Sequence, residues 1–164
     1  MYLLNLKSSN NYSVYIDQIF SPAGHYLSRH PHLYKIIEEI LLDYKLSGNN
    51  IIIEKKLERD IGTTDIISTT DADNIYYAQA LKSTIFYRFA KNRFPQKSDT
   101  LTLILKKDEQ GNFEVYDTWI GRNYPAFPGD QNETNKSKDY WNSHALVHNA
   151  LSIQTKSITK TCPY

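Results

Sequence analysis

The sequence has only one cysteine, Cys162, so an intramolecular disulfide bond and a cysteine-rich zinc site are both excluded. It has no run of the roughly 20 apolar residues that a membrane-spanning helix needs. The apolar run near its start is also too short for a secretory signal peptide. These absences predict a cytoplasmic protein, or a domain that is delivered into the cytoplasm of a target cell.

The sequence also lacks an excess of charge of one sign. It has 19 Lys and Arg residues and 18 Asp and Glu residues, so its net charge is +1. A nucleic-acid-binding protein of this composition needs its cations clustered in one groove. Tyrosine is abundant, at 13 residues, and it suits sheets, stacking surfaces and protein interfaces alike. The length of 164 residues predicts a single domain, 1–164, with a loose polar tail over 152–164.

Hydrophobic periodicity predicts two helices. Apolar residues recur at helical spacing after Pro31 and predict a helix over about 31–46, and a similar pattern around Trp141 predicts one over about 138–151. The fold class is therefore α+β, with an antiparallel sheet of about four to six strands on which both helices pack. Runs of β-branched and aromatic residues predict the strands at 2–6, 14–20, 50–57, 62–68, 75–81 and 84–92, followed by a hairpin over 100–120.

Three of the five histidines lie in one short segment, GHYLSRHPH, where the chain enters the first predicted helix. Histidine is the side chain best suited to proton transfer near neutral pH. Cleavage of RNA through its own 2′-OH needs a base, an acid and cations for the phosphorane oxygens, and it needs no metal. His25 and His30 are the candidates for the proton-transfer role, and no cofactor is expected.

Cations alternate with aromatic residues along one predicted strand, in the sequence YRFAKNRF. Arginine binds phosphate bidentately, and aromatic side chains stack on the bases of single-stranded RNA. Arg88 and Thr118 are therefore candidates for holding the phosphate. Further candidates for binding RNA are Lys91, Arg93, Tyr77, Tyr87 and Tyr116, together with Arg122 and His144, which flank the long loop over 123–137.

The same residues have simpler interpretations. The histidines can cap and flank a helix, and the cations can pair with Glu54, Glu58 or Asp117 on an exposed strand face. His144 can be no more than a neighbour of a core tryptophan, Trp141. A zinc site built from His30, His32, His144 and His148 is not favoured, because the sequence has no HExxH pattern.

The order of these segments resembles the barnase–EndoU–colicin–RelE group of metal-independent ribonucleases. The features shared are a G-H-x-x-x-R-H-P segment that introduces a helix and a following sheet that carries Arg, Lys and Thr. The stretch YYAQALKSTIFYRFAKNR…SDTLTLILKK…FEVYDTWIGR also resembles a family of small bacterial proteins without assigned function. Together the likeness covers about residues 24–146.

This resemblance implies a toxin-like endoribonuclease that forms a cyclic phosphate end. His25 or His30 would transfer protons, Arg88 and Arg93 would hold the phosphate, and Thr118 would donate a hydrogen bond to it. The implied partners are RNA, with tRNA among the candidates, and a cognate immunity or antitoxin protein. The alternative is a non-catalytic protein-binding module, whose tyrosine-rich sheet, with Tyr76, Tyr77 and Tyr116, contacts a partner.

Overall fold

The computed structural model describes residues 1–4, 11–147 and 155–164. The chain divides into two compact units, each assembled from two separate parts of the sequence. Unit 1 comprises Met1–Gly62 and Ser98–Arg122, and unit 2 comprises Thr63–Lys97 and Asn123–Tyr164. The predicted α+β class is confirmed. No helix among the described residues is long and apolar enough to cross a bilayer.

The elements are three helices and twelve strands in the described part of the chain. The helices are α1 (Pro22–Arg29), α2 (Leu33–Leu41) and α3 (Asn135–Ser143). The strands are β1 (Tyr2–Leu3), β2 (Val14–Ile16), β3 (Asn50–Lys56), β4 (Gly62–Thr64), β5 (Ile66–Ser68), β6 (Asn74–Ala80), β7 (Phe86–Lys91), β8 (Gln96–Ser98), β9 (Thr100–Lys107), β10 (Phe113–Ile120), β11 (His144–Val147) and β12 (Thr155–Thr159).

Unit 1 is a five-stranded sheet with two helices on one face. The strand order is β1-β2-β10-β9-β3, and β10 runs parallel to β2 but antiparallel to β9. Alternate leucines of β9 point to the helix side because successive strand residues face opposite ways. There they form one buried cluster with residues of both helices, including Leu27, Leu33 and Ile37.

Unit 2 contains a second five-stranded sheet, in the order β12-β6-β7-β11-β5. Strand β11 is parallel to β7 and antiparallel to β5. Trp141 of α3 is fully buried, stacks on Phe127 and donates its indole N–H to the Ala126 carbonyl over 3.2 Å. Trp141 therefore anchors α3 in this unit. β4 and β8 pair in a separate two-stranded sheet.

The start of the first helical region differs from the prediction. The sequence predicts no helix before about residue 31, but α1 begins at Pro22, with the Ser21 hydroxyl accepting a hydrogen bond from the Gly24 N–H and Pro22 in the first turn. A Cβ atom at residue 24 would collide with the main chain of Asp17, so glycine permits this close approach. The predicted helix over 31–46 is shorter, because α2 ends at Leu41 and the Leu46 N–H bonds to the Tyr12 hydroxyl.

The end of the chain also differs from the prediction. The helix expected over 138–151 covers Asn135–Ser143 instead, because the next four residues pair with β5 and β7 as strand β11. The tail expected to be loose contains β12, which pairs with β6. In place of the single antiparallel sheet that the sequence predicts, the described residues form two mixed five-stranded sheets and one two-stranded sheet. Predicted strand positions 5–6, helix positions 148–151 and tail positions 152–154 lie outside the described residues.

A candidate anion-binding site around Arg88

The predicted site residues are divided between the two units. Unit 1 contains His25, His30, Tyr116, Thr118 and Arg122, and unit 2 contains Tyr77, Tyr87, Arg88, Lys91, Arg93 and His144.

The histidine segment of unit 1 forms α1 and the turn after it. His25 lies on the exposed side of α1, and His30 ends the helix. The His30 ring stacks on Tyr26 at a centroid distance of 4.3 Å, and the Tyr26 hydroxyl accepts the Ile120 N–H. His32 Nε2 lies 2.8 Å from the Ile61 carbonyl oxygen. His30 and His32 are thus held by the fold, while the His25 imidazole is exposed.

Thr118 faces the interior of unit 1. It is 1% exposed, and its hydroxyl donates to the Thr102 carbonyl over 2.9 Å. The Thr102 hydroxyl in turn donates to the Gly121 carbonyl. Because the Thr118 hydroxyl hydrogen is already used between β9 and β10, this arrangement gives Thr118 a packing role, and we leave it out of the candidate site.

Tyr116 and Arg122 lie at the surface of unit 1 and have local partners. The Lys106 ammonium lies 3.5 Å from the centre of the Tyr116 ring. The Arg122 Nε donates to the Glu54 carboxylate over 3.2 Å, and 84% of the Arg122 side chain is exposed. An exposed ion pair of this kind contributes little to stability.

Arg93 is committed to an ion pair in unit 2. Its Nη1 donates to Asp73 Oδ1 over 2.6 Å, while Asp73 Oδ2 accepts the Thr70 N–H over 2.8 Å. The Thr70 N–H and then Arg93 lower the pKa of the Asp73 carboxyl. Lys91, at the end of β7, is exposed. The Arg93 guanidinium is thus paired with a carboxylate, whereas the hydrogen bonds of Arg88 go to uncharged groups.

Arg88 is the buried cation of unit 2, with only 9% of its surface exposed. Its Nη1 donates to the Thr69 hydroxyl over 2.8 Å and to the main-chain carbonyl of His144 over 2.9 Å. Its Nε makes a longer bond, 3.4 Å, to the hydroxyl of Tyr77, the residue paired with it on β6. All three acceptors are uncharged.

No carboxylate of the described chain lies within 4.0 Å of the Arg88 guanidinium. The Arg88 Nη2 donates to no acceptor within the described part of the chain. The charge of Arg88 contributes to the lowered pKa of Asp73, but both carboxylate oxygens of Asp73 are bound elsewhere. A buried charge without a counter-charge is costly. A bound oxyanion would supply the missing charge and accept from Nη2.

Tyr164 lies beside this cation. Its ring meets the Tyr77 ring edge to face at 5.8 Å, and its hydroxyl oxygen is buried without a hydrogen-bond partner in the described structure. Burial raises the pKa of the Tyr164 hydroxyl, and the positive charge of Arg88 opposes that rise. We call Thr69, Tyr77, Arg88 and Tyr164 the Arg88 cluster.

Tyr87 and the His144 imidazole lie on the opposite face of the sheet from Arg88. Phe89 of β7 pairs with Leu146 of β11. Because side chains alternate between the two faces along a strand, Tyr87 lies on the same face as Phe89, and His144 lies on the same face as Leu146. The His144 ring stacks on Tyr140 at 3.9 Å, with Nδ1 3.0 Å from the Tyr140 carbonyl oxygen. Tyr87 contacts Phe127. Of these predicted residues, only Tyr77 joins Arg88 through its side chain.

Sequence reasoning missed Thr69 and Tyr164. Thr69 stands in an ordinary polar run, and Tyr164 lies in the segment expected to be loose, so no local pattern marks either residue. No group of three or more His, Cys, Asp and Glu side chains in the described ranges could hold a metal ion, and His148 lies outside those ranges. Comparison of the chain with family models, curated proteins and solved structures gave no match.

Proposed function

We propose that this chain is a metal-independent ribonuclease in which Arg88 binds the scissile phosphate of RNA. One observation carries the proposal: the guanidinium is buried, fixed by three uncharged oxygens and without a carboxylate partner in the described structure. A fixed cation inside a protein stabilises developing negative charge more strongly than a mobile cation in water.

The reaction is transfer of a phosphodiester within the RNA chain. The 2′-oxygen attacks phosphorus, a base takes the proton of the 2′-OH, the bond to the 5′-oxygen breaks and an acid protonates that oxygen. The product ends are a cyclic phosphate and a free 5′-OH, so atoms balance without an oxidant or a metal. Arg88 Nη2 would donate to a non-bridging phosphate oxygen, and Thr69 and Tyr77 would keep the guanidinium in place.

The resemblance to the ribonuclease group supplies the candidates for proton transfer, His25 and His30. The exposed imidazole of His25 is accessible to a substrate, whereas His30 is stacked on Tyr26. The same resemblance leads us to propose a cognate immunity or antitoxin protein as a partner, because a ribonuclease toxin must be silenced in the cell that makes it.

Cleavage of RNA in EDTA tests this function. We expect the purified protein to cut RNA with metal chelated and to leave cyclic phosphate ends, identified by mass spectrometry. His25→Ala or His30→Ala should lower the rate by about a hundred-fold or more, since general acid–base catalysis typically contributes that much. His32→Gln is the control, because it changes a histidine that binds the Ile61 carbonyl.

Intact RNA after incubation of folded protein with total RNA, tRNA and single-stranded oligonucleotides would contradict the ribonuclease. That result would favour the alternative, a protein-binding module with a tyrosine surface. Its three tyrosines do not form one surface within a unit: Tyr77 is buried beside Arg88, Tyr76 stacks on Phe89 on the opposite sheet face, and Tyr116 belongs to unit 1. No observation therefore favours it as a second function.

A further inference from the structure

We infer that the Tyr164 hydroxyl is a second donor of the Arg88 site, and that the two side chains together bind a phosphate-class oxyanion. This inference rests on the proposed function, which identifies RNA as the source of the phosphate. No sequence pattern marks Tyr164 as a binding residue.

The state of the hydroxyl is the first ground for this inference. The Tyr164 oxygen is buried, yet it has no hydrogen-bond partner within the described ranges. Leaving a buried hydroxyl unpaired is costly and rare in folded proteins, so this one indicates an acceptor that is supplied from outside the chain.

The surroundings of the ring are the second ground. The edge-to-face contact with Tyr77 fixes Tyr164 next to the residue whose hydroxyl accepts from Arg88 Nε. The charge of Arg88 acts on the Tyr164 hydroxyl. The residue with the unpaired donor and the residue with the guanidinium edge without an acceptor therefore both contact Tyr77. An oxyanion accepts from both, whereas a cation would be repelled by Arg88.

The neighbouring carboxylate does not serve as that acceptor. Glu133 raises the pKa of Tyr164, but one of its oxygens accepts the Gly129 N–H over 2.7 Å and the other lies 3.6 Å from the Lys138 ammonium. The Glu133 Oε1 has no hydrogen bond, and neither does the Tyr164 hydroxyl, so the two are not bonded to each other. A tyrosine hydroxyl is protonated at neutral pH, as a donor must be.

Tyr164→Phe isolates the hydroxyl, because it removes one oxygen and keeps the ring against Tyr77. We expect the variant to bind inorganic phosphate about ten-fold more weakly than the wild type, the loss of one hydrogen bond to a charged group. Tyr44→Phe is the matched control, since that ring is on the surface of unit 1. Calorimetry with inorganic phosphate gives the affinities, and circular dichroism checks the fold.

A second arm uses a 2′-O-methyl RNA oligonucleotide, which binds but cannot be cleaved. If Tyr164→Phe binds both inorganic phosphate and the oligonucleotide more weakly than the wild type, the inference holds for free phosphate and for RNA phosphate. If it binds only one of these ligands more weakly, the inference holds for that ligand. Equal affinities for wild type and variant, or no binding of either ligand, overturns it.

The two proposals fail separately. If Tyr164→Phe weakens phosphate binding but the wild type cuts no RNA, the oxyanion site stands and the ribonuclease does not. If the wild type cuts RNA and Tyr164→Phe has unchanged KM, kcat and phosphate affinity, the ribonuclease stands and the role of Tyr164 is wrong.

Discussion

Asp117 of β10 carries a charge that its surroundings only partly compensate. Burial raises the pKa of its carboxyl, while the Thr118 N–H, which donates to it over 2.9 Å, and the Lys106 ammonium oppose the rise. A carboxyl with a raised pKa binds its proton more tightly in the folded state. Its contribution to stability is therefore greatest when it is neutral, and declines as the pH rises from the unfolded-state pKa through the folded-state pKa.

We predict that Asp117→Asn stabilises the protein at pH 7, because the amide removes the half-buried charge and its oxygen can still accept the Thr118 N–H. The difference in melting temperature from the wild type should shrink as the pH falls toward the ordinary carboxyl pKa of about 3.9. Thermal unfolding followed across pH measures it. Asp43→Asn, an exposed change, should show no such trend. A variant less stable than the wild type at pH 7 would refute this.

Arg88 could be singled out from the sequence, but the Thr69 hydroxyl and the His144 carbonyl, which accept its hydrogen bonds, could not. The alternation of cations and aromatics indicates Arg88 as a phosphate ligand, and in the structure Arg88 is buried with no carboxylate within 4.0 Å among the described residues. Its two shorter hydrogen bonds go to the Thr69 hydroxyl and to the His144 carbonyl, and both residues are far from it in the sequence. Such contacts depend on strand order, and no local pattern encodes that order.

Strands β9 and β10 form the element in which sequence and structure agree best. The apolar–polar alternation of LTLILKK and the turn residues before Gly111 predict a hairpin, and β9 and β10 pair across that turn. Gly111 has a φ of +85°, and Asp108 accepts the N–H groups of Gln110 and Asn112. Local turn chemistry was sufficient here because the paired strands are adjacent in the sequence.

We predict that Thr118→Val lowers the free energy of unfolding by about 1 kcal/mol, the net value of one buried hydrogen bond. RNA cleavage should stay unchanged, because the Thr118 hydroxyl donates to the Thr102 carbonyl. Urea denaturation and a cleavage assay measure the two effects, and Thr118→Ser, which keeps the hydroxyl, separates them. Unchanged stability with a large loss of cleavage would return Thr118 to the phosphate-binding role that the resemblance implies.

Helix α3 and strand β11 are the element that local patterns misassigned. Ala145, Leu146 and Val147 fit helical spacing after Trp141, yet they pair with β5 and β7. Both partners lie more than 50 residues away in the sequence. Pairing with distant strands satisfies the backbone groups and buries three apolar side chains, which outweighs a weak helical preference.

At the scale of the whole molecule, the chain is two compact units, and the predicted site residues fall into both. The α+β class could be predicted because it depends on strand and helix patterns. The division into units could not, since each unit combines an early and a late part of the sequence. The ribonuclease proposal therefore depends most on Arg88, the predicted site residue whose guanidinium is buried and bonded to uncharged oxygens.

The rate of RNA cleavage by Arg88→Lys is the most direct test of that account. Lysine keeps the positive charge but lacks the planar fork that contacts Thr69 and the His144 carbonyl and that, in our proposal, also binds the phosphate. We predict that the variant, folded by circular dichroism, cuts RNA in EDTA at least about a hundred-fold more slowly than the wild type. Arg59→Lys, which changes an exposed arginine paired with Glu39, should cut normally. Equal rates for Arg88→Lys and the wild type would contradict the central claim.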